Sequence, residues 1–117
     1  WVLLIKPNVL SETKNIFNHF KGPYSKKSNF IFNFDNIIYD INTYQNSLEK
    51  TACRLEKKIK ELLDSLPSRN NITKPRITGS GSTVFLLFEK QDDLVQYKNA
   101  IRLIIKNYWN LSTYISL

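Results

Sequence analysis

Residues 74–89 read KPRITGSGSTVFLLFE, and this stretch decides the fold because it places a glycine loop between two groups of strand-forming residues. Gly79 and Gly81, two of the three glycines in the chain, lie directly before the apolar run that begins at Val84. Glycine adopts positive φ without strain, as the tight turn of a β-hairpin requires. The stretch therefore predicts two antiparallel strands joined by a short loop.

The same loop has a second interpretation, as a loop that faces phosphate. Two glycines separated by one serine can present successive backbone N–H groups to an anion. Basic residues precede the loop and hydroxyl groups line it: Lys74, Arg76, Thr78, Ser80, Ser82 and Thr83. The spacing matches neither the P-loop nor the three-glycine dinucleotide fingerprint. The residues alone leave the turn and the phosphate loop both open.

The first third of the chain predicts a strand, a short helix and an irregular region. The continuous apolar run 1–5 is typical of a strand buried on both faces, and Pro7 follows its end. Ser11 is the predicted N-cap of a helix that Gly22 and Pro23 close. Further on, NFIFNF (29–34) predicts a short strand or an extended loop, and DNIIYDI (35–41) a brief helix.

Two longer helices are predicted at 46–66 and 92–108, and a last strand at 110–117. The first has apolar residues at steps of three and four, namely Leu48, Ala52, Leu55, Ile59, Leu62, Leu63 and Leu66. Asn46 and Glu49 resemble a capping box at its start. Its charged residues, Glu49, Arg54, Glu56, Lys57, Lys58 and Lys60, are interpreted as a solvated face. Asp92 and Asp93 suit the first turn of the second helix.

The element order is strand, helix, irregular region, helix, strand, strand, helix, strand. It predicts an α+β fold, a mostly antiparallel sheet of about four strands with helices packed on one face. At 117 residues and 42% hydrophobic content, the chain is one domain with a packed core. Since it contains no methionine and opens on a strand, we expect a fragment of a longer protein.

Composition restricts the classes of function. The formal net charge of +7 favours anionic partners such as nucleotides, phosphorylated metabolites or nucleic acid. The single cysteine, Cys53, and the single histidine, His19, do not build a zinc site, and Cys53 is expected on the buried side of its helix. No apolar run has the roughly 20 residues of a membrane span.

Three segments carry a resemblance to a known family. RITGSGSTVFLLF (76–88) resembles the third motif of the galacto-, homoserine, mevalonate and phosphomevalonate (GHMP) kinase superfamily, and within it the 4-diphosphocytidyl-2-C-methyl-D-erythritol kinases. WVLLIKPNVLSETKNIF (1–17) and NSLEKTA (46–52) are similar to two further family segments, with Lys14 where the family has Pro and Ser47 where it has Asp. The resemblance implies a ferredoxin-like C-terminal kinase domain.

Family membership also implies a function and a set of site residues. The kinases transfer the γ-phosphoryl group of ATP to the 2-hydroxyl of a cytidyl-diphospho-methylerythritol, in non-mevalonate isoprenoid precursor synthesis. Thr13 and Phe17 match substrate-binding positions, with Phe17 stacked on the cytosine; the residues alone favour Phe17 as a core side chain beside Ile16 and Phe20. The loop Thr78, Gly79, Ser80, Gly81 and Ser82 would face the phosphates.

The remaining expectations concern the part of the kinase that this sequence lacks. The ATP loop and the catalytic residues belong to an N-terminal domain, so no catalytic residue and no metal site is predicted here. ATP and Mg²⁺ would be bound mainly by that domain, the partner of this one. The resemblance implies a bacterial cytoplasmic or plastid-like location, without membrane. Two alternatives stay open: a basic α+β RNA-binding module, and a sister kinase for another substrate.

Overall fold

A computed structural model describes residues 1–9, 12–24 and 34–116. In these ranges the strands and helices follow one another in the predicted order, with more breaks than expected. The strands are β1 (Val2–Lys6), β2 (Arg76–Ile77), β3 (Val84–Leu87) and β4 (Trp109–Thr113). The helices are α1 (Thr13–His19), α2 (Ile37–Thr43), α3 (Glu49–Leu55), α4 (Lys57–Ser65), α5 (Gln91–Ala100) and α6 (Arg102–Ile105).

The described strands form one antiparallel sheet in the order β2-β3-β1-β4. Strand β1 lies inside the sheet, with Leu3 opposite Leu86 on one side and opposite Ser112 on the other. Its apolar side chains point to both faces, which explains why its sequence reads as an uninterrupted hydrophobic run. The predicted α+β class and antiparallel sheet are confirmed.

The main core lies between one face of the sheet and five of the helices. Side chains from the strands and from these helices form one cluster: Leu3, Ile5, Ile77, Val84, Leu86, Ile16, Leu48, Ala52, Ile59, Leu62, Leu94, Tyr97, Ile101 and Ile105. The remaining helix, α2, packs on the other face, where Ile38 contacts Val2 and Leu87. Helices α1 and α3–α6 therefore lie on one face of the sheet, as expected. Helix α2 lies on the other face, which the sequence did not predict.

Both long helices are divided, and the prediction of continuous helices was wrong. The segment 46–66 contains α3 and α4, separated at Glu56, whose backbone is extended at φ −130° and ψ 96°. The segment 92–108 contains α5 and α6, separated at Ile101. The apolar spacing cannot reveal such a break, because the buried residues on either side of it keep the same period.

Other predictions have mixed outcomes. The brief helix at 35–41 is confirmed as α2, preceded by a short 3₁₀ turn at Phe34–Asn36. Asp92 and Asp93 lie in the first turn of α5 as expected. The proposed N-cap Ser11 and residues 29–33 of the NFIFNF stretch lie outside the described residues.

Candidate functional site

The glycine loop connects β2 to β3 and is a closed hairpin turn. The Thr78 N–H donates to the Thr83 carbonyl at 2.9 Å, and the Gly81 N–H donates to the Thr78 carbonyl at 2.8 Å. Gly79 and Gly81 have φ of +52° and +88°, in the left-handed region. A Cβ on Gly79 would meet no atom within 4 Å. Backbone conformation, and not space, therefore requires glycine at position 79.

Internal hydrogen bonds use some of the donors that were expected to face phosphate. The Gly81 N–H is occupied by Thr78, so it does not contribute to a row of N–H groups directed outward. The Ser82 hydroxyl donates to the Val9 carbonyl at 3.0 Å, and its side chain is buried. The arrangement therefore fits a concave anion site of successive N–H groups less well than the sequence suggested.

The structure brings the start of α1 to this loop. The hydroxyl oxygens of Thr13 and Ser80 lie 2.9 Å apart, within hydrogen-bond distance, although 67 positions separate them in the sequence. Thr13 is the first residue of α1, and Phe17 follows one turn later on the same helix. Two groups of predicted site residues, Thr13 with Phe17 and the glycine loop, therefore lie side by side.

The environment of Phe17 separates the two interpretations of this residue. Its side chain is 46% exposed, whereas the adjacent Ile16 is 2% exposed and belongs to the core. Helix α1 therefore places Ile16, and not Phe17, in the core. The core interpretation of Phe17 is wrong, and its ring is accessible to a flat ligand.

Asn46 and Glu49 contact the loop, a role that the sequence did not reveal. The Asn46 amide donates to the Ile77 carbonyl at 3.2 Å and to the Gly79 carbonyl at 2.6 Å. The Glu49 carboxylate accepts from the Ile77 N–H at 3.0 Å. Helix α3 begins at Glu49, with Leu48 as N-cap and no side-chain cap. The predicted capping box is therefore wrong, as is the solvated position of Glu49.

Arg76, expected near the phosphate, is directed to α2. Its guanidinium donates to the carbonyl of Ile41 at 2.9 Å and to that of Tyr44. Its Nε lies 4.0 Å from the Glu49 carboxylate, and its side chain is 13% exposed. Arg76 therefore joins the end of α2 to β2. Lys74 remains exposed, and its N–H donates to the side chain of Asn42 at 2.8 Å.

Two clefts are lined by residues that hydrogen-bond to the loop, Val9 and Thr83 in one and Asn46 in the other. One, of about 610 Å³, lies between the end of β1 and the start of β4 and is lined by Lys6, Thr83 and Trp109 among others. The other, of about 560 Å³, lies between α1 and α3, where Lys21, Lys50 and Arg54 surround it and Asn46 forms part of its wall. Both clefts carry lysine side chains, which suits an anionic ligand beside the loop.

Cys53 and His19 are the single cysteine and the single histidine of the chain. Burial raises the pKa of the Cys53 thiol, and the charge of Glu49 raises it further, so the thiol stays protonated at neutral pH. The exposed His19 ring donates from Nδ1 to the Asn15 carbonyl at 2.9 Å. Within ranges 1–9, 12–24 and 34–116, no three His, Cys, Asp or Glu side chains cluster as a metal site.

The chain matches a family model over residues 33–104, which is described as "GHMP kinases C terminal". The chain belongs to this family of kinase C-terminal domains. The family prediction is therefore confirmed, from the region that contains α2 to α5, most of α6 and the glycine loop.

Several curated proteins are similar to this GHMP kinase C-terminal domain, and each is named 4-diphosphocytidyl-2-C-methyl-D-erythritol kinase. One from Polynucleobacter necessarius is 27% identical over 107 residues, which is 91% of this chain and 35% of that protein. One from Buchnera aphidicola is 34% identical over 88 residues, which is 75% of this chain and 27% of that protein. One from Anaplasma marginale is 32% identical over 92 residues, 76% of this chain and 32% of that protein.

A solved structure has the same fold. It is titled a crystal structure of 4-(cytidine 5'-diphospho)-2C-methyl-D-erythritol kinase, and it matches 93% of this chain and 41% of its own, with a TM-score of 0.59 and 22% identity. The chain spans about a third of the length of the curated relatives. None of the helices in the described ranges is long and apolar enough to cross a bilayer.

Proposed function

We propose that this chain is the C-terminal, substrate-binding part of an ATP-dependent kinase that phosphorylates the 2-hydroxyl of 4-diphosphocytidyl-2-C-methyl-D-erythritol. One observation supports the proposal: the Thr13 hydroxyl lies within hydrogen-bond distance of the Ser80 hydroxyl of the glycine loop, and the exposed Phe17 follows Thr13 one turn later on α1. The names of the curated relatives support this substrate over that of a sister kinase.

Within this proposal, the two parts of the site have different tasks. Phe17 stacks on the cytosine, because an exposed aromatic ring gains contact with a flat heterocycle. Thr13 and the loop Thr78–Ser82 lie next to it and face the diphosphate. The lysines of the two clefts add positive charge without contacting the reacting atoms. Together they bind and orient the substrate.

ATP supplies the phosphoryl group and Mg²⁺ its countercharge, and we place both on the N-terminal domain of the same kinase. Among the described residues no three carboxylate, histidine or cysteine side chains cluster, and we assign no Mg²⁺ ligand to this chain. No catalytic residue is assigned to this chain. For location we keep both possibilities that the family implies, the bacterial cytoplasm and a plastid-like organelle.

Phe17→Ala tests the proposal directly. In the kinase that carries this domain, we expect the KM for the cytidyl substrate to rise about fivefold, as the loss of roughly 1 kcal/mol of stacking predicts, with kcat little changed. Titration of the isolated chain with CDP should show the same loss of affinity. The fold should remain intact, because Phe17 is exposed.

Tyr39→Ala is the matched control, since Tyr39 is an exposed aromatic residue on α2. It should leave both the KM and the affinity for CDP unchanged. An unchanged KM in Phe17→Ala would remove Phe17 from the site. Binding of RNA with a steep salt dependence, in place of CDP, would favour the RNA-binding alternative.

A further inference from the structure

We propose that Asn46 and Glu49 are positioning residues, which set the backbone conformation of the glycine loop Thr78–Ser82 for phosphate binding. The inference rests on the proposed function for the role of the loop, and on the hydrogen bonds of these two side chains for the rest. Neither residue contacts the substrate in this scheme. They act through the backbone of residues 77–79.

The first argument concerns the edge of the sheet. Strand β2 contains only Arg76 and Ile77 and lies at the end of the sheet, so no other strand of the described residues pairs with its outer side. Glu49 accepts from the Ile77 N–H and Asn46 donates to the Ile77 carbonyl. The side chains of Asn46 and Glu49 therefore make the hydrogen bonds that a neighbouring strand would make with the outer side of β2. They fix β2 at the residue before the loop.

The second argument concerns the loop itself. The Asn46 amide also donates to the Gly79 carbonyl at 2.6 Å, at the residue whose φ is +52°. In a trans peptide unit the C=O and the following N–H point in opposite directions. A Gly79 carbonyl held toward Asn46 therefore directs the Ser80 N–H away from Asn46. Asn46 thereby determines the orientation of one donor in the loop.

The Asn46 side chain is itself fixed in orientation. Its Oδ1 accepts from the Leu48 N–H at 3.0 Å, so its NH₂ group must point to the loop carbonyls. Glu49 is held in turn by Arg76, which also contacts the end of α2. The positioning residues therefore connect the loop to two helices, α2 and α3.

The test uses the 117-residue chain labelled with ¹⁵N-glycine. Only three glycines are present, so the spectrum reports the loop through Gly79 and Gly81, with Gly22 outside it. Asn46→Asp removes the NH₂ donor but keeps Oδ1 as an acceptor. We expect it to shift the Gly79 and Gly81 signals and to weaken the affinity for pyrophosphate about fivefold, because both hydrogen bonds from the Asn46 amide to the Ile77 and Gly79 carbonyls are lost.

Conservative and control variants separate positioning from general damage. Glu49→Ala should shift the two loop signals, and Glu49→Gln, which still accepts from the Ile77 N–H, should restore them. Asn99→Asp adds the same charge at an exposed site on α5, and Glu61→Ala removes an exposed carboxylate on α4. Both controls should leave the loop signals and the pyrophosphate affinity unchanged.

Loop signals that stay in place in Asn46→Asp and Glu49→Ala would overturn the inference. Shifted signals with an unaltered affinity for pyrophosphate would overturn the role of these residues in phosphate binding. If the unmodified chain binds no pyrophosphate, the phosphate-facing loop of the proposed function fails. The glycine signals of the variants still decide whether Asn46 and Glu49 hold the loop.

Discussion

Tyr97 is the largest of the side chains that the described residues bury completely. Its hydroxyl donates to the Pro67 carbonyl at 2.7 Å, and its ring makes an edge contact with Phe88 at 5.5 Å between centroids. Above the ring, the Arg69 guanidinium carbon lies 5.4 Å from the centroid. One residue of α5 thus secures the loop that follows α4, through both a polar and an aromatic contact.

The pH dependence of folding should report this environment. Burial raises the pKa of Tyr97 from 10.0 to about 12, against a smaller lowering effect of Arg69. Between these values the unfolded chain has lost the proton that the folded chain retains, so the free energy of unfolding falls as the pH rises. The stability that the raised pKa of Tyr97 contributes is fully present below pH 10 and is lost by about pH 12.

Tyr97→Phe isolates this contribution, because it removes the hydroxyl and keeps the ring. At neutral pH we expect it to lower the free energy of unfolding by about 1 kcal/mol, the usual net value of one hydrogen bond. The difference between the two proteins should shrink above pH 10. Urea denaturation at a series of pH values measures it, and parallel pH profiles would contradict the expected shift.

At the scale of the element, the break between α3 and α4 has an energetic consequence. A continuous helix would bury Leu55 on the same face as Ala52 and Ile59. In the structure Leu55 is 36% exposed, while Ala52 and Ile59 are both 0% exposed. The two large residues on either side of Glu56 therefore contribute unequally to the core.

Truncation of these side chains should show the inequality. We expect Ile59→Ala to lower the free energy of unfolding by about 2–5 kcal/mol, the usual range for a fully buried aliphatic residue. Leu55→Ala should lower the free energy of unfolding by well under half of that amount, because the Leu55 side chain is already partly exposed to water. Urea denaturation of both variants measures this. Equal losses would indicate that α3 and α4 form one helix in solution.

The elements also show what the sequence could and could not predict. The hydrophobic run of β1 and the hairpin around Gly79 are properties of local sequence, and both were predicted correctly. The partners of Asn46 are 31 and 33 positions away, so no local pattern distinguishes its role from a helix cap. Arg76 was misjudged for the same reason, since its acceptors belong to α2.

The same limit of local sequence applies to the predicted site residues. Thr13 and Phe17 were predicted as site residues through a resemblance to a family, and the structure brings Thr13 to the loop, with Phe17 one turn later on α1. Periodicity did not separate Phe17 from Ile16, since both are apolar residues of one short helix. Only packing shows which of the two enters the core.

At the scale of the whole molecule, the chain holds one part of the proposed kinase. We expect the purified chain to release no ADP from ATP with the cytidyl substrate, because its sequence does not contain the ATP-loop and catalytic motifs of the family, on which phosphoryl transfer depends. It should still bind CDP through Phe17. A coupled assay measures the release of ADP, with a full-length relative as positive control. Measurable turnover would contradict the division of labour between two domains.

The position of β1 inside the sheet has a consequence for how the molecule folds. Its neighbours are β3 and β4, so Val2 pairs with Leu87 on one side and with Thr113 on the other. Strand β1 must wait for residues more than a hundred positions later in the sequence before its second edge is covered. Such long-range closure is slow, since the loop entropy is lost before the contacts form. During synthesis, the apolar run 1–5 therefore needs protection from other chains until β4 has emerged.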